Sequence, residues 1–413
     1  MVDEYTLIQR AKSLGYQAEI YEVKVRGFTI KRGSQVYSFD IADQGYGMRV
    51  IKDGKLGFAF STKLDDTLFE LAVDSSKVAK EDKFNIIPSP ESVNKLNLKF
   101  FDINDAKEKV KEYEEVIREV RNFANVIGEY YNFAIFTVKV VNSEGIDVEE
   151  DRSLAEIALS FNFKRDSFIT PEFYEDETAR DLSKVDPHRL VEKVRERDEI
   201  FKARQTLDKK FKEAVFTPKA ISILLSPLLS YAVSLENLYR GRTTLKEGEV
   251  INENLTVVDN PTINWAPFSR SFDGEGLPSM KVEVISNGVV KTFLSNTYWA
   301  KRTGKLNTHS SYRSYSSLPI ISTSVIDIDV RSNAEEDTIV IDEVQGVHTS
   351  NFDTGEFSVV GSVAWYNGIA TREVVITGNL KDMLKGIIGG IGEKELKGNV
   401  YTKALKIGNI NVA

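Results

Sequence analysis

The sequence has no cysteine and very little histidine. Of its 413 residues only three are His, at positions 188, 309 and 348, and no two of them lie within one helical turn of each other. The absence of Cys excludes disulfide bonds and removes the thiolate ligand that many zinc sites use. Because a hydrolytic zinc site needs three protein ligands, the sequence offers no ready-made metal centre.

The chain also lacks a positive charge balance and a membrane-length apolar segment, and residues 1–15 do not resemble a signal peptide. Lys and Arg number 54 against 62 Asp and Glu, and the net charge of −8 opposes binding to nucleic acid. Residues 1–15 have neither the basic nor the apolar region of a signal peptide, so we expect a cytoplasmic protein. The apolar stretch Ala220–Leu235 is shorter than the ~20 residues that span a bilayer, which predicts a buried core helix and no membrane contact.

Length and pattern predict an α+β protein with two domains. In the first domain, residues 1–213, the order helix, strands, helix occurs twice, in similar units of about 1–81 and 104–213 joined by a linker at 82–103. This repetition suggests a diverged internal duplication.

Local signals place several element ends in this domain. Asp53-Gly54 predicts a two-residue hairpin turn. Gly45-Tyr-Gly47 predicts a break before the strand that follows. Asp186 and Pro187 open a charged helix that we expect to run past Arg204.

The second domain, residues 214–413, is predicted to be mainly antiparallel β with the buried apolar helix near its start. Asn287-Gly288 and Asn367-Gly368 lie between alternating runs and predict hairpin turns, while Ile320–Val330 predicts a further long strand. We expect a curved sheet or a barrel-like arrangement, because closure removes exposed strand edges.

Patterns for other chemistries are incomplete. The sequence has no Gly-x-Ser-x-Gly elbow and no Gly-Lys-Ser/Thr phosphate loop. His309 and His348 fall on predicted loops and could meet in the fold. One hypothesis is therefore a metal-dependent peptidase that uses these two His and nearby carboxylates.

Two acidic, glycine-containing loops stand out in the second domain. Their residues of interest are Asp273, Glu275 and Gly276 in the first loop and Asp353, Thr354 and Gly355 in the second. One interpretation is turn chemistry, in which Asp side chains accept hydrogen bonds from their own backbone and Gly takes a positive φ. The other is that exposed acidic residues form substrate or partner loops at the ends of long strands.

Several strings, taken in order, resemble the TldD/PmbA family, whose members are also called modulators of DNA gyrase and are associated with metallopeptidase activity. The matching strings are Gly45-Tyr-Gly-Met-Arg-Val50, Asn142-Ser-Glu-Gly145, Asp273-Gly-Glu-Gly276, Asn296-Thr-Tyr-Trp-Ala300, Gly346 through Ser358 and Gly378-Asn-Leu-Lys-Asp-Met-Leu384. The resemblance covers nearly the whole chain.

The resemblance implies the TldE/PmbA branch of that family. The TldD branch carries a zinc motif His-Glu-x-x-x-His and a C-terminal Cys, whereas here Ser226, Pro227 and Tyr231 stand in place of His, Glu and His, and Gly389–Asn399 has no Cys. We therefore expect no cofactor in this chain and zinc in a TldD-type partner. The implied function is a non-catalytic subunit of a peptidase complex that cleaves unfolded peptides, with a homodimer possible when the chain is alone.

Overall fold

The computed structural model describes residues 2–413, and the first half of the chain builds one antiparallel sheet of six strands, here called the N-terminal sheet. Its first unit consists of α1 (Glu4–Ser13), β1 (Gln17–Arg32), β2 (Val36–Lys52), β3 (Lys55–Ser61) and α2 (Asp66–Lys77). The second unit repeats this order with α3 (Ile103–Arg118), β4 (Asn125–Asn142), β5 (Asp147–Asn162), β6 (Phe173–Ala179) and α4 (Pro187–Ile200). The strand order is β3-β2-β1-β4-β5-β6, so the two units meet where β1 pairs with β4.

Strand β2 runs without interruption through Gly45 and Gly47, so the predicted break there is wrong. A Cβ atom at Gly45 would lie 2.4 Å from the ring of Tyr315, and one at Gly47 would lie 2.2 Å from the Tyr315 carbonyl oxygen. The two glycines therefore allow a segment of the second half of the chain to lie directly on the N-terminal sheet.

Helix α4 begins where the sequence predicts and ends earlier. The Asp186 carboxylate accepts a hydrogen bond from the backbone N–H of His188 at 2.9 Å, and Pro187 is the first helical residue. The helix stops at Ile200, and Arg204–Gln205 form strand β7 instead, so the expected extension past Arg204 is wrong. Pairing of β7 with a distant strand takes precedence over local helix propensity here.

The second half of the chain builds a branched sheet of thirteen strands, here called the C-terminal sheet. Beyond β7, its strands are β8 (Ala214–Phe216), β9 (Leu255–Asp259), β10 (Val282–Ser286), β11 (Val289–Val290), β14 (Ile326–Val330), β15 (Val340–Gln345), β16 (Glu356–Tyr366), β17 (Ile369–Thr371), β18 (Val374–Asn379), β19 (Ile387–Lys397), β20 (Val400–Ile407) and β21 (Asn411–Val412). A separate pair is formed by β12 (Ser311–Tyr312) and β13 (Ile320–Ile321), and the helices are α5 (Pro218–Ala232), α6 (Leu235–Tyr239), α7 (Thr297–Thr303) and α8 (Leu380–Lys385).

The predicted α+β class is confirmed, with a curved and open C-terminal sheet. Both predicted hairpin turns there are present, since Asn287 and Asn367 have φ of 47° and 51° and each precedes a glycine with positive φ. The single strand expected over Ile320–Val330 is wrong. It is divided into β13 and β14 because the backbone N–H and hydroxyl of Ser324 both turn to donate to Asp259 Oδ1, at 2.6 and 2.8 Å.

Helix α5 lies in the largest hydrophobic core, which confirms the predicted buried helix. Thr217 caps it by accepting a hydrogen bond from the backbone N–H of Ala220 at 3.3 Å, and Pro218 is its first residue. Five of its aliphatic side chains are at most 1% exposed, namely Ile221, Leu224, Leu225, Leu228 and Leu229. Among residues 2–413, no helix is long and apolar enough to cross a membrane.

The two halves of the chain share a hydrophobic core. The cluster around α3, α4 and the second unit's strands also contains Val340, Val363 and Trp365 from the C-terminal sheet. Strands β7 and β8 lie on either side of the predicted boundary at residue 213, and both belong to the C-terminal sheet. The division into domains at that residue stays a prediction.

Candidate functional site

The positions that the resemblance assigns to a zinc motif lie on α5 and make other contacts. The Ser226 hydroxyl donates to Asn399 Oδ1 at 2.7 Å, and the Tyr231 hydroxyl donates to Asp353 Oδ1 at 2.5 Å. Pro227 offers no side-chain ligand. Because zinc is held in proteins by Cys, His, Asp or Glu, Ser226, Pro227 and Tyr231 do not fit a zinc ion.

A chain of hydrogen bonds continues from Ser226 along the helix. Asn399, in the turn between β19 and β20, donates from Nδ2 to Thr323 Oγ1 at 3.3 Å. Thr323 in turn shares a hydrogen bond of 2.7 Å with the Ser230 hydroxyl, one helical turn after Ser226. Neutral amide and hydroxyl groups thus join α5 to two loops of the C-terminal sheet.

This polar chain forms one end of a cavity of about 690 Å³ between the two sheets. Side chains of β4, β5 and β6 line one side, and the segment between β9 and β10, together with Tyr312, lines the other. The exposed aromatic rings of Phe268 and Tyr312 belong to this lining. The charged lining residues are Arg152, Glu156, Arg180 and Arg270, so cations outnumber anions in the wall.

The guanidinium N–H groups of Arg180 donate hydrogen bonds to acceptors within the protein. Its Nε donates to the Ser269 hydroxyl at 3.0 Å, and its Nη atoms donate to the carbonyl oxygens of Ser153, Pro267 and Ser269. Burial, together with the nearby Arg152 cation, lowers the pKa of the Arg180 guanidinium. An arginine nevertheless remains protonated at neutral pH, so Arg180 brings a buried positive charge into the cavity wall.

Arg152 has an acidic partner. Its Nε donates to Glu150 Oε1 at 2.7 Å, and the other Glu150 contacts include the backbone N–H of Ser271 at 3.1 Å. The guanidinium also lies over the Phe272 ring, 5.6 Å from its centroid. Glu150 therefore neutralises Arg152 and attaches β5 to the segment that carries Arg270.

Arg270 differs from both. It is 6% exposed, its Nε has no hydrogen-bond partner, and no carboxylate of residues 2–413 forms a salt bridge with its guanidinium. Burial lowers its pKa despite the more distant Asp259 and Asp273 carboxylates. The cavity thus contains a buried cation without a direct partner.

The acidic loop at Asp273 faces inward, so the expectation of exposed carboxylates is wrong for Asp273 and Glu275, which are 2% and 1% exposed. Glu275 Oε1 accepts from Arg49 Nη2 at 3.0 Å, and its Oε2 accepts from the backbone N–H of Thr297 at 2.9 Å. Arg49 also donates to Glu19, which accepts from Arg313 at 2.6 Å. This loop therefore connects the two sheets by buried ion pairs.

Asp273 itself shapes the turn. Its Oδ1 accepts from the backbone N–H groups of Glu275 and Leu277 at 2.9 and 3.1 Å, and Gly276 has φ of 79°. Burial and the neighbouring Glu275 raise the pKa of Asp273. Whether this loop also contacts a substrate or partner stays a prediction.

The second acidic loop lies on the surface beside α5. Asp353 is exposed, Gly355 has φ of 77°, and the Tyr231 ring packs against Phe352 with a centroid distance of 5.5 Å. Thr354 Oγ1 donates to Glu356 Oε2 at 3.3 Å. The loop is thus attached to the helix that carries the replaced zinc positions, and its role as a substrate or partner loop stays a prediction.

The three His residues lie in separate settings. A ring nitrogen of His309 is 2.8 Å from the Pro278 carbonyl oxygen and the other is 3.5 Å from Glu91 Oε1, while His348 is exposed in a short 3-10 helix after β15. His188 lies at the start of α4. Within residues 2–413, no three His, Cys, Asp or Glu side chains are close enough together to hold a metal ion.

Sequence reasoning missed the residues that line the cavity. Arg270 had one visible signal, because it is the sole charged residue in the stretch Asn260–Phe272. An isolated charge among apolar and small polar residues indicates a buried ionisable group. Asn399 and Thr323 carry no such signal, since their roles depend on contacts with α5 from distant parts of the chain.

Comparison with known proteins agrees with this architecture. Residues 18–79 match the model of PmbA/TldA metallopeptidase domain 1, and residues 209–413 match that of the PmbA/TldA metallopeptidase C-terminal domain. The crystal structure of TldE from Thermococcus kodakarensis has a TM-score of 0.89 at 25% identity over 99% of each chain.

Two relatives complete the comparison. The metalloprotease PmbA homolog of Buchnera aphidicola subsp. Baizongia pistaciae is 25% identical over 189 residues, which cover 44% of this chain and 42% of the homolog. An uncharacterised protein of Methanocaldococcus jannaschii is 30% identical over 421 residues, which cover 98% of both chains. The chain therefore belongs to the PmbA/TldD family.

Proposed function

We propose that this chain is a non-catalytic, TldE-like subunit of a cytoplasmic zinc metallopeptidase complex that acts on unfolded peptides. A TldD-type partner would supply the zinc and the catalytic residues. This chain would bind that partner and form part of the wall that surrounds the substrate.

One observation carries the proposal. At the helix positions where the resemblance places a zinc motif, Ser226 and Tyr231 are occupied by hydrogen bonds to Asn399 and Asp353, and Pro227 has no ligand atom. Without a Lewis acid to polarise the peptide carbonyl and activate water, such a helix supports binding rather than hydrolysis. The cavity beside this helix is where we expect the peptide to bind.

The chemistry left to this chain is positioning. Hydroxyl and amide groups of Ser230, Thr323 and Asn399 line the cavity and can exchange hydrogen bonds with a peptide backbone. Such contacts are independent of peptide sequence, which suits a subunit that receives unfolded chains.

The decisive experiment expresses this chain with and without a TldD-type subunit and measures native mass, zinc content and casein hydrolysis on the same samples. Alone, the chain should contain substoichiometric zinc and should not cleave casein. Together, the two chains should form a complex with chelator-sensitive activity. Replacing the first His of the partner's zinc motif by Ala is the matched control and should abolish that activity.

A gain-of-function test restores the zinc-motif residues on the same helix. The triple variant Ser226→His, Pro227→Glu, Tyr231→His should stay inactive alone, because a hydrolytic site needs a third protein ligand and further groups that hydrogen-bond and orient the ligands. Activity of the isolated wild-type chain that survives purification would contradict the proposal and favour a metal site around His309 or His348.

A further inference from the structure

The cavity between the sheets contains a charge that the protein does not neutralise directly. Arg270 is 94% buried, its Nε has no partner, and its Nη atoms form no ion pair within residues 2–413. A buried guanidinium ordinarily has acidic or carbonyl partners, because removing its water shell is costly. We therefore look for the partner of the Arg270 cation in a molecule other than this chain.

Other buried arginines have an acidic or carbonyl partner, even where, as in Arg197, the Nε itself has none. Arg49 pairs with Glu19 and Glu275, Arg197 pairs with Asp342 at 2.6 Å, and Arg180 donates to three backbone carbonyl groups. Arg270 alone among these four has neither a carboxylate nor a carbonyl group within bonding distance. Arg270 lines the cavity, and its guanidinium makes no hydrogen bond to an acceptor of residues 2–413.

The surroundings of Arg270 favour an anion. Arg180 lies in the same wall, the charge of Arg152 is neutralised by Glu150, and Glu156 is the one anion among the lining residues. The aromatic rings of Phe136, Phe268 and Tyr312 supply apolar surface beside this charge. A volume of about 690 Å³ is within the range of sites that hold ligands of several hundred daltons.

We propose that Arg270 binds a carboxylate of the peptide that enters this cavity, the free C-terminal carboxylate above all. This binding role rests on the proposed function in one respect only, namely that the ligand is a peptide. A planar carboxylate matches the forked donors of a guanidinium, whereas the Glu156 anion in the same wall disfavours a doubly charged phosphate.

The test measures binding to the isolated chain by calorimetry, with no partner and no catalysis involved. The probes are an N-acetylated apolar tetrapeptide with a free C-terminal carboxylate, the same peptide as its C-terminal amide, and inorganic phosphate. We expect the acid to bind at least about tenfold more tightly than the amide, since charge-assisted hydrogen bonds to Arg are about twice as strong as neutral ones.

Arg270→Gln should remove that difference and bind acid and amide alike. Arg118→Gln, on the exposed face of α3, is the matched control and should keep the wild-type preference. The melting temperature supplies a second readout. Arg270→Gln should melt at the same temperature as wild type or higher, because it removes an unpaired buried cation, so loss of binding cannot be ascribed to unfolding.

One further arm identifies the source of the carboxylate. An amidated peptide with an internal Glu that binds in an Arg270-dependent way would support a carboxylate site and assign it to a side chain. Equal binding of acid and amide to wild type, unchanged acid binding to Arg270→Gln, or tighter binding of phosphate would each overturn the proposal.

These outcomes are separable from failure of the proposed function. Arg270-dependent binding by a chain that gives no activity with a TldD-type subunit would leave the carboxylate site intact and contradict the proposed complex. An active complex whose TldE-like chain shows no Arg270-dependent binding would contradict the carboxylate site alone.

Discussion

The N-terminal sheet meets the rest of the chain at several buried charges, and two of these contacts differ in their pairing. At the Asp273–Gly276 loop, Glu275 meets Arg49, and Glu19 meets both Arg49 and Arg313. In the cavity, Arg270 has no such partner. At the first contact Glu19 and Glu275 are paired with Arg49 and Arg313, whereas in the cavity the Arg270 cation has no carboxylate partner.

The pairing of a buried charge distinguishes residues that hold the structure together from a residue that we propose binds a ligand, and sequence motifs do not make this distinction here. The family-like string Asp273-Gly-Glu-Gly276 is the more conspicuous feature of the sequence, yet its side chains hold the sheets together. Arg270 belongs to no motif, yet its geometry favours a ligand. Whether a buried charge has an ion-pair partner is therefore a better indication of function here than the sequence motif in which the residue lies.

The largest expected effect concerns the paired contact. Glu275→Ala should lower the free energy of unfolding by about 3–5 kcal/mol, because removing one member of a buried ion pair leaves the other charge uncompensated. Chemical denaturation monitored by circular dichroism would measure it. Glu283→Ala, on an exposed position of β10, is the control and should change stability by less than about 0.5 kcal/mol. A small effect of Glu275→Ala would remove the distinction between the two contacts.

A second paired site tests the same idea through pH. Burial alone would raise the pKa of Asp342, but the Arg197 and Lys219 cations and a hydrogen bond from Thr217 lower it. A lowered folded-state pKa stabilises the protein above the unfolded value near ~4, and that stabilisation is lost as the pH falls through the folded value. The stability difference between wild type and Asp342→Asn should therefore shrink as the pH drops from about 5 to about 3. A difference that grows over this range would contradict the assignment.

Arg180 allows a sharper comparison within the cavity wall. Arg180→Gln should lower the free energy of unfolding by about 1–3 kcal/mol, because buried carbonyl groups of Ser153 and Ser269 lose their donors. Arg270→Gln, in the same cavity wall, should not lower it. Thermal melts of the two variants, run side by side, would measure this, and equal destabilisation would mean that Arg270 is structural.

The smallest effect is expected at the surface loop beside α5. Tyr231→Phe removes the hydroxyl that donates to Asp353 and should cost about 0.5 kcal/mol, since the group is accessible to water. Proteolysis within residues 349–357 should nevertheless become faster if this bond positions the loop. An unchanged cleavage rate would show that the ring contact with Phe352 is sufficient.

Features set by neighbouring residues could be predicted from the sequence. The buried helix α5 and the turns at Asp53-Gly54, Asn287-Gly288 and Asn367-Gly368 depend on local propensity, and the structure has all of them. Continuity of β2 through Gly45 depends on Tyr315, and burial of Glu275 depends on Arg49 and Thr297. Such partners are distant in the chain, so no local pattern reveals them.

The pairing of β1 with β4 has a consequence for how the protein is made. Arg32 lies opposite Glu129, so the edge of β1 that β4 covers stays open while the whole linker and α3 are still being synthesised. An uncovered strand edge is a template for pairing with other chains. On the ribosome, the amides of β1 that face β4 should therefore become protected from hydrogen exchange only after β4 emerges.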